Sequence, residues 1–221
     1  MLSVIVPALN EESCLKACLE AILRGGADEI VVVDGGSDDG STNVARRYER
    51  VRTIGAPRGR ALQMNAGAAA SSGEFLLFCH ADTVLPDGYA DAVRQTLADN
   101  RVTLGAFRFR LAENRAAYRA IEFGVALRCA LLGMPYGDQA FFCRRADFDR
   151  VGGFAPPPAL EDICFVRAIK RFGTVRILPL PALTSDRAWR ENGALRQTLR
   201  NYARALRHAL AAAPPAGGTR G

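Results

Sequence analysis

Lysine is nearly absent. Of the 29 basic residues in this 221-residue chain only Lys16 and Lys170 are lysines, a bias of composition that points to no chemistry by itself. Histidine is as scarce, with only His80 and His208, and there is a single tryptophan, Trp189. Long apolar runs are missing. No stretch reaches the roughly 18 uncharged apolar residues that a membrane-spanning helix needs, and the most apolar long segment, 116–134, is broken by Arg119, Glu122 and Arg128. The six cysteines form no CxxC pair. That pattern suggests neither a zinc site nor a disulfide framework, and it fits buried, inert thiols. GxGxxG and GxxxxGK[ST] also occur nowhere, which argues against a dinucleotide-dependent dehydrogenase and a P-loop enzyme.

What is present is an ordinary globular composition, 49% apolar and 24% charged, with ample material for a core. The start, MLSVIVPALNEE, has no basic leader and meets Asn10, Glu11 and Glu12 after a short apolar run. It does not read as a signal peptide, so a cytoplasmic protein is expected. The formal charge is +6, and from Asp186 onward seven arginines face two acidic residues. Basicity therefore belongs to the C-terminal segment. A solvated helix face, an anionic membrane surface and a phosphate-bearing substrate all fit it. Nucleic acid is not expected, because no recognised binding motif is present.

Strand-like and helix-like patterns alternate through the first 100 residues. Apolar runs at 2–6, 29–34 and 74–79 predict buried strands, and 52–55 a further one. Helical spacing covers 11–24, 60–72 and about 87–99. Continuous apolar strands between amphipathic helices indicate an α/β fold with a mostly parallel sheet covered on both faces. The second half is less regular: a strand is expected over 102–110, a helix over 116–132, a strand over 138–144, a short helix over 145–151, a helix over 163–172 and a strand over 174–178. A basic amphipathic helix is expected over 194–213, with Leu195, Leu199, Tyr202, Leu206 and Leu210 on one face, then a disordered tail over 214–221. That face suits packing on the domain, a second subunit in a homodimer, or peripheral contact with the inner face of a membrane. One domain over 1–213 is expected, with halves at 1–100 and 101–213.

In parallel sheets of this kind, ligands bind beyond the carboxyl ends of the strands, and the polar clusters follow the strands. Asn10 and Glu11 follow the first, and VDGGSDDGS, with Asp34, Gly36 and an expected helix cap at Ser41, follows the second. Its glycines allow tight turns and close approach of a ligand, and its carboxylate can accept hydrogen bonds from a base or a ribose. His80-Ala81-Asp82 follows EFLLFC. Alternate side chains at a strand end point the same way, so His80 and Asp82 can share a ligand. Imidazole with carboxylate suits Mn²⁺, whereas Mg²⁺ leans on oxygen and water. Glu161-Asp162 opens a helix, where acidic residues are favoured by the macrodipole in any case; the functional alternative is a general base.

Four blocks in order, SVIVPALNEE, VVVDGGSDDGS, GRALQMNAGAAASSGEFLLFCHADT and GGF followed by ED, together resemble family-2 glycosyltransferases of the GT-A fold over roughly residues 1–175. The blocks LPDGY, YGDQAFFCRR, LEDICFVRAIKRFG and SDRAW resemble a small bacterial subgroup associated with radical SAM enzymes or arsenosugar biosynthesis. The resemblance implies an inverting enzyme of the hexosyltransferase type. It would move a sugar from a nucleotide-diphosphate sugar, a UDP-sugar in the first instance, to a small-molecule or lipid acceptor. It implies that Pro7, Ala8, Asn10 and Glu11 contact the nucleotide, that Asp34 and Gly36 meet the nucleoside, and that Arg60 and Asn65 line the donor pocket. It also implies that His80, Ala81 and Asp82 occupy the metal motif, with Asp82 and His80 as ligands of Mn²⁺ or Mg²⁺, and that Asp162 is the catalytic base. Asp138, Gln139, Glu161, Arg187 and Trp189 are assigned to the acceptor side.

His80 departs from the family pattern, which has a carboxylate there, and the processive QxxRW signature is not present in its usual form. The alternatives are a nucleotidyltransferase, whose usual glycine- and arginine-rich first loop is missing here, and a non-catalytic nucleotide-sugar-binding protein.

Overall fold

The computed structural model describes residues 1–156, 160–193, 196–198, 200 and 203. It divides into two compact units, residues 1–186 and the described residues from Arg187 onward. The first unit is built on an eight-stranded sheet. Its strands are β1 (Leu2–Ala8), β2 (Glu29–Asp34), β3 (Val51–Gly55), β4 (Phe75–Phe78), β5 (Thr83–Val84), β6 (Val102–Leu111), β7 (Phe141–Arg144) and β8 (Thr174–Thr184), in the spatial order β3-β2-β1-β4-β7-β6-β8-β5. The first four are parallel to one another, β7 runs antiparallel to β4 and β6, and β8 is parallel to β6.

Helices α1 (Glu12–Arg24), α2 (Ser41–Arg46) and α3 (Arg60–Ala70) connect the first four strands, and α4 (Tyr89–Leu97) precedes β6. Then come α5 (Ala116–Leu132), α6 (Arg145–Arg150) and α7 (Glu161–Ile169); the second unit begins with α8 (Arg187–Asn192). The chain steps outward from β1 to β2 to β3, then returns to place β4 on the other side of β1. That reversal opens a crevice at the carboxyl ends of β1 and β4, where ligands bind in sheets of this type.

The alternation of side chains along each strand splits the core in two. Val4, Val6, Ile30 and Val32 pack with Leu15, Leu19 and Ile22 of α1 and with Tyr89, Val93 and Leu97 of α4. Ile5, Val31 and Val33 face the other way, toward Met64 and Ala68 of α3 and an aromatic group of Phe78, Phe148, Phe154 and Phe165. Phe154 and Phe165 have ring centroids 4.3 Å apart. Gly67 lets α3 sit hard against the sheet. A Cβ there would collide with Ile5 Cγ2 and stand 2.9 Å from Val33 Cγ2.

Several expectations are corrected. The strand predicted from Asp138 begins at Phe141, because Gly137–Gln139 is a 3-10 turn and Ala140 takes a positive φ of 49°. The last strand runs to Thr184 rather than Leu178. Pro179 and Pro181 hid it from the sequence pattern; the pairing with β6 shifts between Leu178 and Pro181, and such an irregularity tolerates a residue without an N–H. Ser41 is not the cap of α2, which is Gly40. Strand β5 and helix α8 were not expected at all. Of the helix expected over 194–213, residues 196–198, 200 and 203 are described and are helical; the remainder, and the tail over 214–221, lie outside the described residues. Four of the six cysteines are buried, Cys14 and Cys164 are partly so, and none is paired in a disulfide.

Candidate functional site

Two loops at the carboxyl ends of β1 and β2 are stitched together. Asn10 takes a positive φ of 56°, a conformation asparagine tolerates better than most residues. Its N–H donates to Ser37 Oγ at 3.0 Å, and its Oδ1 accepts from the Asp38 N–H at 2.9 Å. The Glu11 N–H donates to Ser41 Oγ at 2.8 Å. Glu12 and Asp39 then serve each other's helix starts: Asp39 Oδ2 accepts from the Glu12 N–H at 3.1 Å, and Glu12 Oε2 from the Gly40 N–H at 3.0 Å. Asp34 organises its own turn, accepting from the Gly36 and Ser37 N–H groups and from Ser37 Oγ.

A cleft of about 340 Å³ lies beside these loops. It is lined by Pro7, Ala8, Leu9 and Glu11 after β1, by Arg58, Gly59, Arg60 and Gln63 at the start of α3, and by His80, Ala81 and Asp82 after β4. Seven of the residues assigned to the donor from the sequence therefore share one cleft: Pro7, Ala8, Glu11, Arg60, His80, Ala81 and Asp82. Asn10, Asp34 and Gly36 belong to the adjoining loops. The first turn of α3 has no side-chain cap, so its N–H groups, with Arg58 and Arg60, give this wall of the cleft a positive character suited to phosphate.

Sequence reasoning missed Gln63. It is 3% exposed, and its Nε2 donates to the carbonyls of Ala8 at 2.8 Å and Val33 at 2.9 Å. It thereby ties together the ends of β1 and β2 beneath the cleft. The signal was a lone polar side chain at the helical spacing of Ala61, Met64, Gly67 and Ala68, the buried face of an alanine-rich helix. Asn65, also assigned to the donor pocket, is not among the residues that line this cleft. Its amide makes a two-way bond with the backbone of Phe154, 2.9 Å in each direction, and so fixes the GGF turn.

The far wall brings α7 and the 3-10 turn to His80. Asp162, in the first turn of α7, accepts from the Gly137 N–H at 3.0 Å through Oδ2. A Cβ added to Gly137 would lie 2.8 Å from Asp162 Oδ1 and 2.9 Å from His80 Nε2. The carboxyl and the imidazole therefore meet across this glycine. His80 Nε2, Asp162 Oδ1 and the neighbouring Asp138 Oδ1 are all buried without a hydrogen-bond partner among the described residues. Burial pushes the Asp162 carboxyl above its ordinary range, against the pull of Arg60. Burial, aided by the charge on Arg60, holds His80 well below the usual histidine value and hence neutral.

Glu161 pairs with Arg60 at 3.1 Å and so joins the starts of α3 and α7 at the mouth of the site. Gln139, assigned to the acceptor side from the sequence, is held by the surrounding chain. It is 1% exposed. Its Nε2 donates to the Phe107 carbonyl at 3.0 Å, and its Oε1 accepts from Arg128 and from the Tyr136 N–H, both at 3.2 Å. Arg187 and Trp189 lie on α8 of the second unit, where Trp189 Nε1 donates to Thr198 Oγ1 at 3.3 Å.

Among the described residues no group of three or more His, Cys, Asp or Glu side chains is arranged to hold a metal ion. Asp82 and His80, assigned to the metal from the sequence, both line the cleft, and His80 Nε2 has no hydrogen-bond partner among the described residues. Imidazole nitrogen with carboxylate oxygen is a donor set of the kind that Mn²⁺ accepts. Among the described residues no helix is long and apolar enough to cross a membrane.

Comparison with known proteins agrees with this fold. A PGL/p-HBAD biosynthesis glycosyltransferase of Mycobacterium bovis is 38% identical over 93 residues, covering 38% of this chain and 36% of that protein. The chain spans about a third of the length of the curated relatives it matches, 30% and 36% for two of them. Among solved structures, mannosyltransferase PcManGT from Pyrobaculum calidifontis, in complex with GDP-Man and Mn²⁺, superposes with a TM-score of 0.69 at 22% identity, over 93% of this chain and 64% of that one. Glucosyl-3-phosphoglycerate synthase from Mycobacterium tuberculosis, in complex with Mn²⁺, UDP and glucosyl-3-phosphoglycerate, does so with a TM-score of 0.68 at 22% identity, over 98% of this chain and 82% of that one. These likenesses establish the GT-A fold. The family whose sequence profile fits is Glycosyl transferase family 2, matched over residues 3–156, and the chain belongs to it.

Proposed function

We propose that this protein transfers a sugar from a nucleotide-diphosphate sugar, a UDP-sugar in the first instance, to a hydroxyl of a small-molecule or lipid acceptor, with inversion at the anomeric carbon. The observation that carries the reading is Asp162. It stands across Gly137 from His80, which lines the cleft at the carboxyl ends of β1 and β4. Asp162 Oδ2 is held by the Gly137 N–H, and Oδ1 has no partner, which leaves that oxygen for an incoming hydroxyl.

In this mechanism Asp34 and the stitched loops hold the nucleoside, and the start of α3 with Arg58 and Arg60 faces the diphosphate. Asp82 and His80 would hold Mn²⁺ or Mg²⁺, which when bound offsets the negative charge growing on the leaving diphosphate. Asp162 takes the proton of the acceptor hydroxyl as the new carbon–oxygen bond forms on the face opposite the leaving group. The bond from the anomeric carbon to the diphosphate oxygen breaks as this happens, and the nucleoside diphosphate departs. Relatives of known fold support the donor class. The structures named above carry GDP-Man with Mn²⁺, and UDP with Mn²⁺. The GDQ and SDRAW blocks support placing the chain in the small bacterial subgroup.

Replacing Asp162 by Asn tests the assignment. General-base catalysis contributes about 10²–10⁴-fold, so release of nucleoside diphosphate should fall by that factor while donor affinity stays within twofold. Equal loss of both would make Asp162 a structural residue. His80, in place of a carboxylate, favours a second reading, a nucleotide-sugar binder without turnover. Donor binding with no release of nucleoside diphosphate from the unmodified protein would select it.

A further inference from the structure

Five buried side-chain polar atoms among the described residues have no partner, and three of them are His80 Nε2, Asp138 Oδ1 and Asp162 Oδ1. Folded proteins leave few such atoms, and each asks for an explanation. His80 and Asp162 have theirs in the proposed transfer chemistry. Asp138 does not.

The turn that carries Asp138 is fixed from both sides. Thr184 Oγ1 donates to the Asp138 carbonyl at 2.9 Å, the next residue, Gln139, is bonded to Phe107, and the preceding one, Gly137, donates its N–H to Asp162. Among the described residues Asp138 forms no ion pair. The nearby Arg128 is occupied: its Nε donates to the Met134 carbonyl at 2.9 Å, and its guanidinium lies 3.6 Å from the centroid of the Tyr136 ring. Burial pushes the Asp138 carboxyl up to about 6, with Asp162 and Asp82 adding in the same direction and Arg128 and Arg60 opposing. The turn thus holds a second carboxyl, with an oxygen that nothing among the described residues satisfies, one residue from the glycine shared by Asp162 and His80. Burying it that way costs stability. The arrangement makes sense where a ligand brings the missing donor.

We propose that Asp138 binds a second hydroxyl of the acceptor, adjacent to the one that Asp162 deprotonates, so that the acceptor is a polyol with neighbouring hydroxyls. The inference rests on Asp162 being the base. It also assigns the two carboxyls separate tasks: Asp162 removes a proton, and Asp138 accepts a hydrogen bond and sets which hydroxyl is presented.

The test uses the full chain with Mn²⁺ and whichever of UDP-glucose, UDP-galactose, UDP-N-acetylglucosamine and GDP-mannose binds best by calorimetry. Transfer to 1,2-propanediol is compared with transfer to 1-propanol and 1,3-propanediol. A hydrogen bond to a charged acceptor makes the adjacent diol preferred by about ten- to hundredfold. In Asp138→Ala that preference falls to near one, while donor Kd stays within twofold. The Tm of Asp138→Asn is unchanged or higher, because an unsatisfied buried carboxyl has been removed. Three results would overturn the proposal: an unmodified protein with no diol preference, a variant that keeps it, or a variant that loses donor affinity instead. Failure of the underlying reading is visible separately, as no nucleoside diphosphate released from any donor, and the proposal falls with it.

Discussion

Gly137 offers a strict check on the site's geometry, because the perturbation is one methyl group and the backbone N–H that holds Asp162 remains. A Cβ at this position stands 2.8 Å and 3.0 Å from the two Asp162 carboxyl oxygens and 2.9 Å from His80 Nε2. Ordinary carbon contacts begin near 3.4 Å, so Gly137→Ala forces the carboxyl and the imidazole apart by about half an ångström. Catalytic geometry is sensitive on that scale, with about 10²-fold in rate for a displacement of 1 Å. The expected loss in kcat is therefore about tenfold or somewhat more. The assay is release of nucleoside diphosphate under saturating donor, with donor Kd from calorimetry and Tm from thermal unfolding. Donor affinity in the presence of Mn²⁺ should weaken as well, because the displaced His80 lines the donor cleft although Gly137 does not. Gly55→Ala is the control, since a Cβ there meets nothing within 4 Å and its backbone is unstrained. If Gly137→Ala turns over within twofold of the unmodified protein, the pairing of Asp162 with His80 across this glycine has no part in the reaction.

Other consequences are as direct. Asp82→Ala should remove the part of donor affinity that depends on Mn²⁺, and calorimetry with and without the metal would show no such loss if Asp82 were not a ligand. His80→Asp replaces a nitrogen donor with oxygen and should shift the preferred ion from Mn²⁺ toward Mg²⁺, read as the ratio of rates in the two metals. Gly67→Ala drives a methyl into Ile5 and Val33. Overpacking of this kind costs about 1–3 kcal/mol, a fall in Tm of about 2–4 °C for each kcal/mol in a chain of this size; an unchanged Tm would mean that α3 can lift off the sheet.

The parts of the molecule that could be read from the sequence are those written locally. The apolar run of β2 ending in Asp34, the helical spacing of Leu15, Leu19 and Ile22 in α1, and the polar cluster after β4 each sit within a few neighbouring residues. The parts that could not be read depend on segments far apart in the chain. Ser41 looked like a helix cap, yet its hydroxyl holds the Glu11 N–H of another loop. The amide of Asn65 is bonded to the backbone of Phe154, a distant neighbour in sequence. The strand expected to end at Leu178 continues through Pro179 and Pro181, because a sequence does not reveal where a strand's pairing slips. Gly137 had no distinguishing local feature. Its importance comes only from the fold that brings His80 and Asp162 to either side of it.

Calorimetric titration of a panel of nucleotide-sugars into the folded protein, with and without Mn²⁺, tests the central claim most directly. Binding of one sugar donor that strengthens on adding the metal, followed by slow release of its nucleoside diphosphate, is the predicted result. A folded protein that binds none of the donors in either condition would contradict it.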